Sequence, residues 1–109
     1  MSIPVAVDNL APTLADFDAA YLCTIRERRV KVVSVRAVLS DDGTLRVLNP
    51  GRGSVLNVAD EPAVTLTFPP LTPGFSLLVD GTAVADGDDV VVTPTGAVLH
   101  KPAPPAPSA

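Results

Sequence analysis

Short valine-rich runs, each soon cut off by a turn signal, constrain this chain more than any other feature. VKVVSVRAVL ends at Ser40-Asp41-Asp42-Gly43, where a hairpin turn wants glycine at a position of positive φ. TLRVLN continues the meander and gives way to a glycine loop. AVTLTF alternates Val64, Leu66 and Phe68 with Thr65 and Thr67, the period of a half-buried strand. With three phenylalanines, one tyrosine and no tryptophan, the core has to be built of Val, Leu and Ala. β-Branched side chains suit pleated sheet better than long helices.

The 109 residues make one domain, and 47% of them are apolar. AAYLCTIRE reads as a strand ahead of VKVVSVRAVL. FSLLVDGTAVADGDDVVVTPTGAVLH reads as two or three strands, joined at Asp86-Gly87-Asp88-Asp89 and at Pro94-Thr95-Gly96. Two short helices are expected. Thr13-Leu14-Ala15-Asp16 has the form of a capping box, with Leu10, Leu14 and Phe17 at helical spacing. In SVLNVADEP, Ser54 is a good N-cap, Val55, Leu56 and Val58 supply an apolar face, and Pro62 closes the helix. The fold class expected is mainly β: a small antiparallel split barrel of six to seven strands, since closure removes vulnerable edges. The barrel should span residues 1–101. Residues 102–109, within KPAPPAPSA, should form a disordered Pro-rich tail.

A formal net charge of −4 argues against nucleic acid as a general partner. Arg26-Glu27-Arg28-Arg29 with Lys31 is the one dense basic cluster; it contains an acid and reads as a solvated hairpin tip. Cys23 is the lone cysteine, which excludes an intrachain disulfide and suits a reducing interior. The N-terminus lacks the pattern of a secretory signal and no window has the apolar length of a membrane span, so a cytoplasmic protein is expected. Cys23 and His100 are the obvious nucleophile and base, but Cys23 stands among Tyr21, Leu22 and Ile25 like an inert strand thiol. One His and one Cys cannot make a usual metal site. Asp80 should pair with a neighbouring strand or turn.

The stretch NPGRGSVLNVADEP is the candidate site. A glycine loop opening a helix can hold an anion on free N–H groups and the positive dipole end. It can equally be a plain turn with a serine cap. The dinucleotide fingerprint does not fit, because Val55 and Leu56 stand where its third glycine would fall and the flanking hairpins are antiparallel. On VKVVSVRAVL, Val33, Val35 and Ala37 share one face and Ser34 and Arg36 the other, so Arg36 is either a solvent-facing charge or a residue of a cofactor groove.

The order of elements, with Asp41-Asp42-Gly43, Ala59 to Pro62, Val64 to Pro69 and Val79-Asp80-Gly81-Thr82-Ala83, resembles the pyridoxamine-phosphate oxidase-like family of flavin-binding split barrels. The resemblance spans about Leu10 to Lys101 and carries no catalytic motif. It implies a homodimer with flavin mononucleotide (FMN) at the subunit interface, or a deazaflavin in its place, and an oxidoreductase of unnamed substrate. Arg36, Arg52 and Ser54 would meet the flavin phosphate, and Asn49 would lie near the ring or ribityl chain. The family commonly carries a Ser-Arg-Lys or Arg-x-x-Lys pattern at the helix start; here Ser54 stands in place of the lysine and the nearest base is Arg52. A lysine restored at position 54 should tighten binding if the pocket tolerates it. The family's vitamin-oxidising members carry a C-terminal arginine motif not seen after Leu99-His100-Lys101-Pro102, so vitamin oxidation is not expected. The alternative is a cofactor-free barrel serving as a binding or structural module.

Overall fold

Val64, Leu66 and Phe68 are buried while Thr65 and Thr67 are not, so the alternation of AVTLTF is the pleat of a strand with one face on a core. The computed structural model describes residues 2–104 and 106–107, and repeats this pattern around a barrel. The elements run β1 (Ser2–Pro4), α1 (Ala11–Leu14), β2 (Ala20–Arg26), β3 (Arg29–Leu39), β4 (Leu45–Leu48), α2 (Arg52–Asp60), β5 (Ala63–Phe68), β6 (Ser76–Asp86) and β7 (Asp89–His100). The expected tail, 102–109, falls partly outside the described residues.

The strand order is β1-β7-β4-β3-β2-β5-β6, and β6 also pairs with β7, which closes β2 to β7 into a six-stranded antiparallel barrel. β7 is long enough to serve two neighbours on one side: β4 along Val90–Val92 and β1 along Val98–His100. Inside lie Leu22, Leu45, Val47, Leu66, Leu77, Val79, Val90 and Val92, with Phe68 against Phe17 at a ring separation of 6.3 Å. The core is the Val, Leu and Ala core that the composition requires. Helix α2 lies against β2, β6 and β7, pinned by a buried hydrogen bond from Asn57 Nδ2 to Thr24 Oγ1 of 3.0 Å.

Four local expectations need correction. Pro94-Thr95-Gly96 is no turn. Asp80 faces Gly96 and Gly81 faces Pro94, so Thr95 is an extra residue bulged out of β7, which lets a proline without an N–H sit inside a strand. Helix α1 starts at Ala11, with Pro12 in its first turn and no side-chain cap, so Thr13 lies within the helix and makes no capping box. Ser54 is not an N-cap either. Gly51 takes that place at φ 101°, so helix α2 begins at Arg52, three residues early. Leu56 leaves the apolar face and stands 45% exposed, while Ser54, Asn57 and Val58 are buried. Strand β1, whose residues are all exposed, gives no signal of its own and exists as a partner for β7.

Candidate functional site

At the end of β4 the backbone turns sharply through Asn49 at φ 40° and Gly51 at φ 101°, both in the left-handed region that asparagine and glycine tolerate best. This geometry delivers the chain into α2 with Gly51 as cap and no side chain on the helix N–H groups. The first helical bond is Val55 N–H to the Gly51 carbonyl at 3.2 Å, which leaves the N–H groups of Arg52, Gly53 and Ser54 without a partner inside the helix. The positive dipole end is therefore open.

The loop is held from across the barrel. Asp89, at the start of β7, accepts the Asn49 N–H at 2.9 Å and an Arg46 guanidinium N–H at 3.0 Å, while Asp86 accepts a second from Arg46 at 2.7 Å. The Asn49 N–H, and then Arg46, hold the Asp89 carboxyl below its ordinary range. The same two carboxylates, Asp86 first, hold the Arg46 guanidinium above its own. Asn49, Gly51, Arg52, Val55 and Leu56 line one open depression of about 470 Å³, closed on the far side by Gly87 and Asp88 of the β6–β7 turn.

Of the four residues expected at the site, Asn49 and Arg52 meet in this depression. Arg36 does not. It stands on the outer face of β3 opposite Leu48 and forms an exposed ion pair with Asp18. Ser54 points away from solvent, fully buried, and its Oγ has no hydrogen-bond partner among the described residues. Nothing local in the sequence marks Asp86 and Asp89 as part of the site, because the contact joins positions about forty residues apart. An anion fits the Arg52 side of the depression, with a guanidinium and a free helix start. The Asp88 carboxylate on the other wall works against it.

Cys23 pairs with Val32 and Thr65, and His100 with Ser2 and Ser76, so they belong to different parts of the sheet. Asp80 accepts the Thr65 hydroxyl at 2.6 Å, the neighbouring-strand partner expected for it. Among the described residues no group of three or more His, Cys, Asp or Glu could hold a metal ion, and no helix is long and apolar enough to cross a membrane.

No family model and no curated protein matches the sequence. Solved structures do match. A candidate pyridoxamine 5′-phosphate oxidase from Listeria innocua superposes with a TM-score of 0.70 at 13% identity, over 85% of this chain and 96% of its own. An FAD-binding protein from Mesorhizobium loti gives 0.65 at 13%, over 90% and 96%. One from Mycobacterium smegmatis gives 0.63 at 15%, over 93% and 100%. The fold is the split barrel of pyridoxamine 5′-phosphate oxidase-like proteins. In this split barrel, the glycine loop and α2 sit at one end, braced by the β6–β7 turn.

Proposed function

We propose that this split barrel binds a flavin, FMN in the first instance, with its phosphate at the start of α2. The observation that carries the reading is the open helix start, where Arg52 and Asn49 share a depression and Gly51 leaves the N–H groups uncapped. Arg52 would supply a charge-assisted contact and Asn49 would orient the adjoining part of the cofactor. A bound flavin supplies electron transfer, while the protein contributes binding, orientation and electrostatics, so the activity class would be an oxidoreductase. The names of the solved relatives add FAD to FMN and deazaflavin as cofactors to test.

The site is proposed to complete itself in a homodimer. On the outer face of β2 and β3, Tyr21, Ile25, Val30 and Val32 are exposed at 45%, 39%, 66% and 56%, an apolar patch that a second copy would cover.

A second reading, a barrel without cofactor, is favoured by the Asp18 partner of Arg36, the inward Ser54 and the Asp88 carboxylate in the depression. Visible absorbance of the purified protein, and fluorescence-quenching titrations with FMN, FAD and a deazaflavin, separate the two. The flavin reading expects saturable binding of one of them. Arg52→Ala should weaken it by about 1.5–3 kcal/mol, the range for a hydrogen bond to a charged group. If no chromophore copurifies and no titration saturates, the cofactor-free reading holds.

A further inference from the structure

Beyond the barrel rim the β2–β3 hairpin continues as a two-stranded ribbon. β2 pairs with β5 only through Tyr21 to Cys23 and β3 joins β4 only from Arg36, whereas Thr24 to Arg26 and Arg29 to Lys31 pair with each other. The inward face of the barrel runs on into this ribbon. On β2 it passes from buried Leu22 and Thr24 to Arg26, and on β3 from Val35 and Val33 to Lys31 and Arg29. The register sets Arg26 directly opposite Arg29 and Lys31 opposite Thr24. The face lies over α2, because Thr24 holds Asn57. Lys31 crosses the first turn of α2 so closely that a Cβ on Gly53 would collide with its Nζ. Arg26, Glu27, Arg29, Lys31 and Asn57 line one open depression of about 540 Å³.

Three cations thus share one face of a ribbon. Among the described residues none of the three has a carboxylate partner, although the chain is net acidic and pairs Arg36 and Arg46 with aspartates. Like charges directly opposite in an antiparallel pair repel. The turn adds to the cost, since Glu27 at φ 53° and Arg28 at φ 64° fill a two-residue hairpin turn where glycine or asparagine is the unstrained choice. An idle, solvated tip needs neither feature. A bound anion removes the repulsion and uses the two guanidinium forks, which match phosphate geometry, together with a lysine point charge.

We infer that the hairpin depression binds the phosphate groups of a small diphosphate-bearing molecule. The lining shares no residue with the Asn49–Arg52 depression, although the two adjoin at the first turn of α2, where Lys31 crosses Gly53. A net charge of −4 and a single small patch favour a small ligand over a nucleic acid.

The test is calorimetric titration of the full chain with inorganic pyrophosphate at low salt. Saturable binding is expected, weakened about tenfold or more by Arg29→Ala and by Lys31→Met, as loss of one charge-assisted contact implies. Lys101→Ala removes the same charge elsewhere and should leave the affinity within about twofold. Gly53→Ala displaces the Lys31 ammonium without deleting it. It should weaken pyrophosphate while leaving the thermal midpoint unchanged or higher, since alanine suits a helix better than glycine. Arg29→Ala without anion should unfold at a higher temperature than the parent chain, which also shows that this variant folds. Absence of saturable binding, or an equal loss in Lys101→Ala, overturns the site. A short RNA that binds more tightly than pyrophosphate through the same residues overturns the assignment to a small ligand.

Discussion

Gly81 stands where β6 and β7 approach most closely. A Cβ there would lie 2.6 Å from the Thr93 carbonyl oxygen and 2.7 Å from Val92 Cγ1. The carbonyl belongs to backbone fixed by the bulge at Thr95 and cannot swing aside as a flexible side chain would. Gly81→Ala should therefore cost about 1–3 kcal/mol, the usual price of overpacking, read as a lower denaturation midpoint at unchanged slope. An unchanged midpoint would mean that the bulge yields. Ser54 poses the opposite problem, a fully buried hydroxyl with no partner among the described residues. Ser54→Ala removes a desolvated group worth about 1–3 kcal/mol, so its thermal midpoint should hold or rise. Ser54→Lys would force an ammonium into the core beside Asn57 and Val58, and should destabilise the domain before it can strengthen any phosphate contact. A Ser54→Lys protein as stable as the parent would show that this side chain can turn outward.

Among elements, the β4–α2 loop depends on the β6–β7 turn through one carboxylate. Asp89 is held below its ordinary range by the Asn49 N–H first and Arg46 second, so the unfolded chain takes up that proton more readily than the folded one. Its contribution is complete at neutral pH and is lost as pH falls through the folded value, below the ordinary carboxylate range. Asp42, lowered by the Thr44 hydroxyl and then the Thr44 N–H, acts in the same window. Asp89→Asn keeps the shape and an acceptor but abolishes the titration. It should lower the midpoint at neutral pH and flatten the acid limb, leaving the part due to Asp42; an acid limb as steep as the parent's would count against the link. The same elements show what a sequence can reveal. Val64 to Phe68 and Ser40 to Gly43 were legible because alternation and turn chemistry are local. The helix starts were not, because Gly51 and Pro12 set them through backbone geometry that outweighs Ser54 and Thr13 as caps. The bulge was hidden because Pro94 looks like a strand breaker until β6 defines the register. Asn49 and Arg52 could be picked out from Pro50 and Gly51 beside them, whereas Asp89 and Lys31 reach the α2 start only through long-range pairing.

For the molecule as a whole, closure leaves an asymmetric exterior. The barrel interior is filled with Leu and Val side chains, yet the outer face of β2 and β3 presents Val30 at 66% and Val32 at 56% exposure, next to Ile25 and half-buried Cys23. Cross-strand register makes the patch continuous, with Cys23 opposite Val32 and Ile25 opposite Val30. Ile25, Val30 and Cys23 also edge a depression of about 580 Å³ that reaches Thr65 and Asp80. Burying one valine is worth about 1.5–3 kcal/mol, and a two-fold axis counts every buried residue twice. Val32→Glu would place two carboxylates in such an interface while changing only an exposed position of the monomer. The dimer proposed above should then dissociate about a hundredfold more readily, or beyond detection. The thermal midpoint of the separated chain should stay close to its parent's, since the barrel core is untouched. Sedimentation velocity at micromolar concentration reads both chains. Parent protein running as a monomer, or a Val32→Glu dimer as tight as the parent's, would remove this face from the assembly and with it the two-subunit groove.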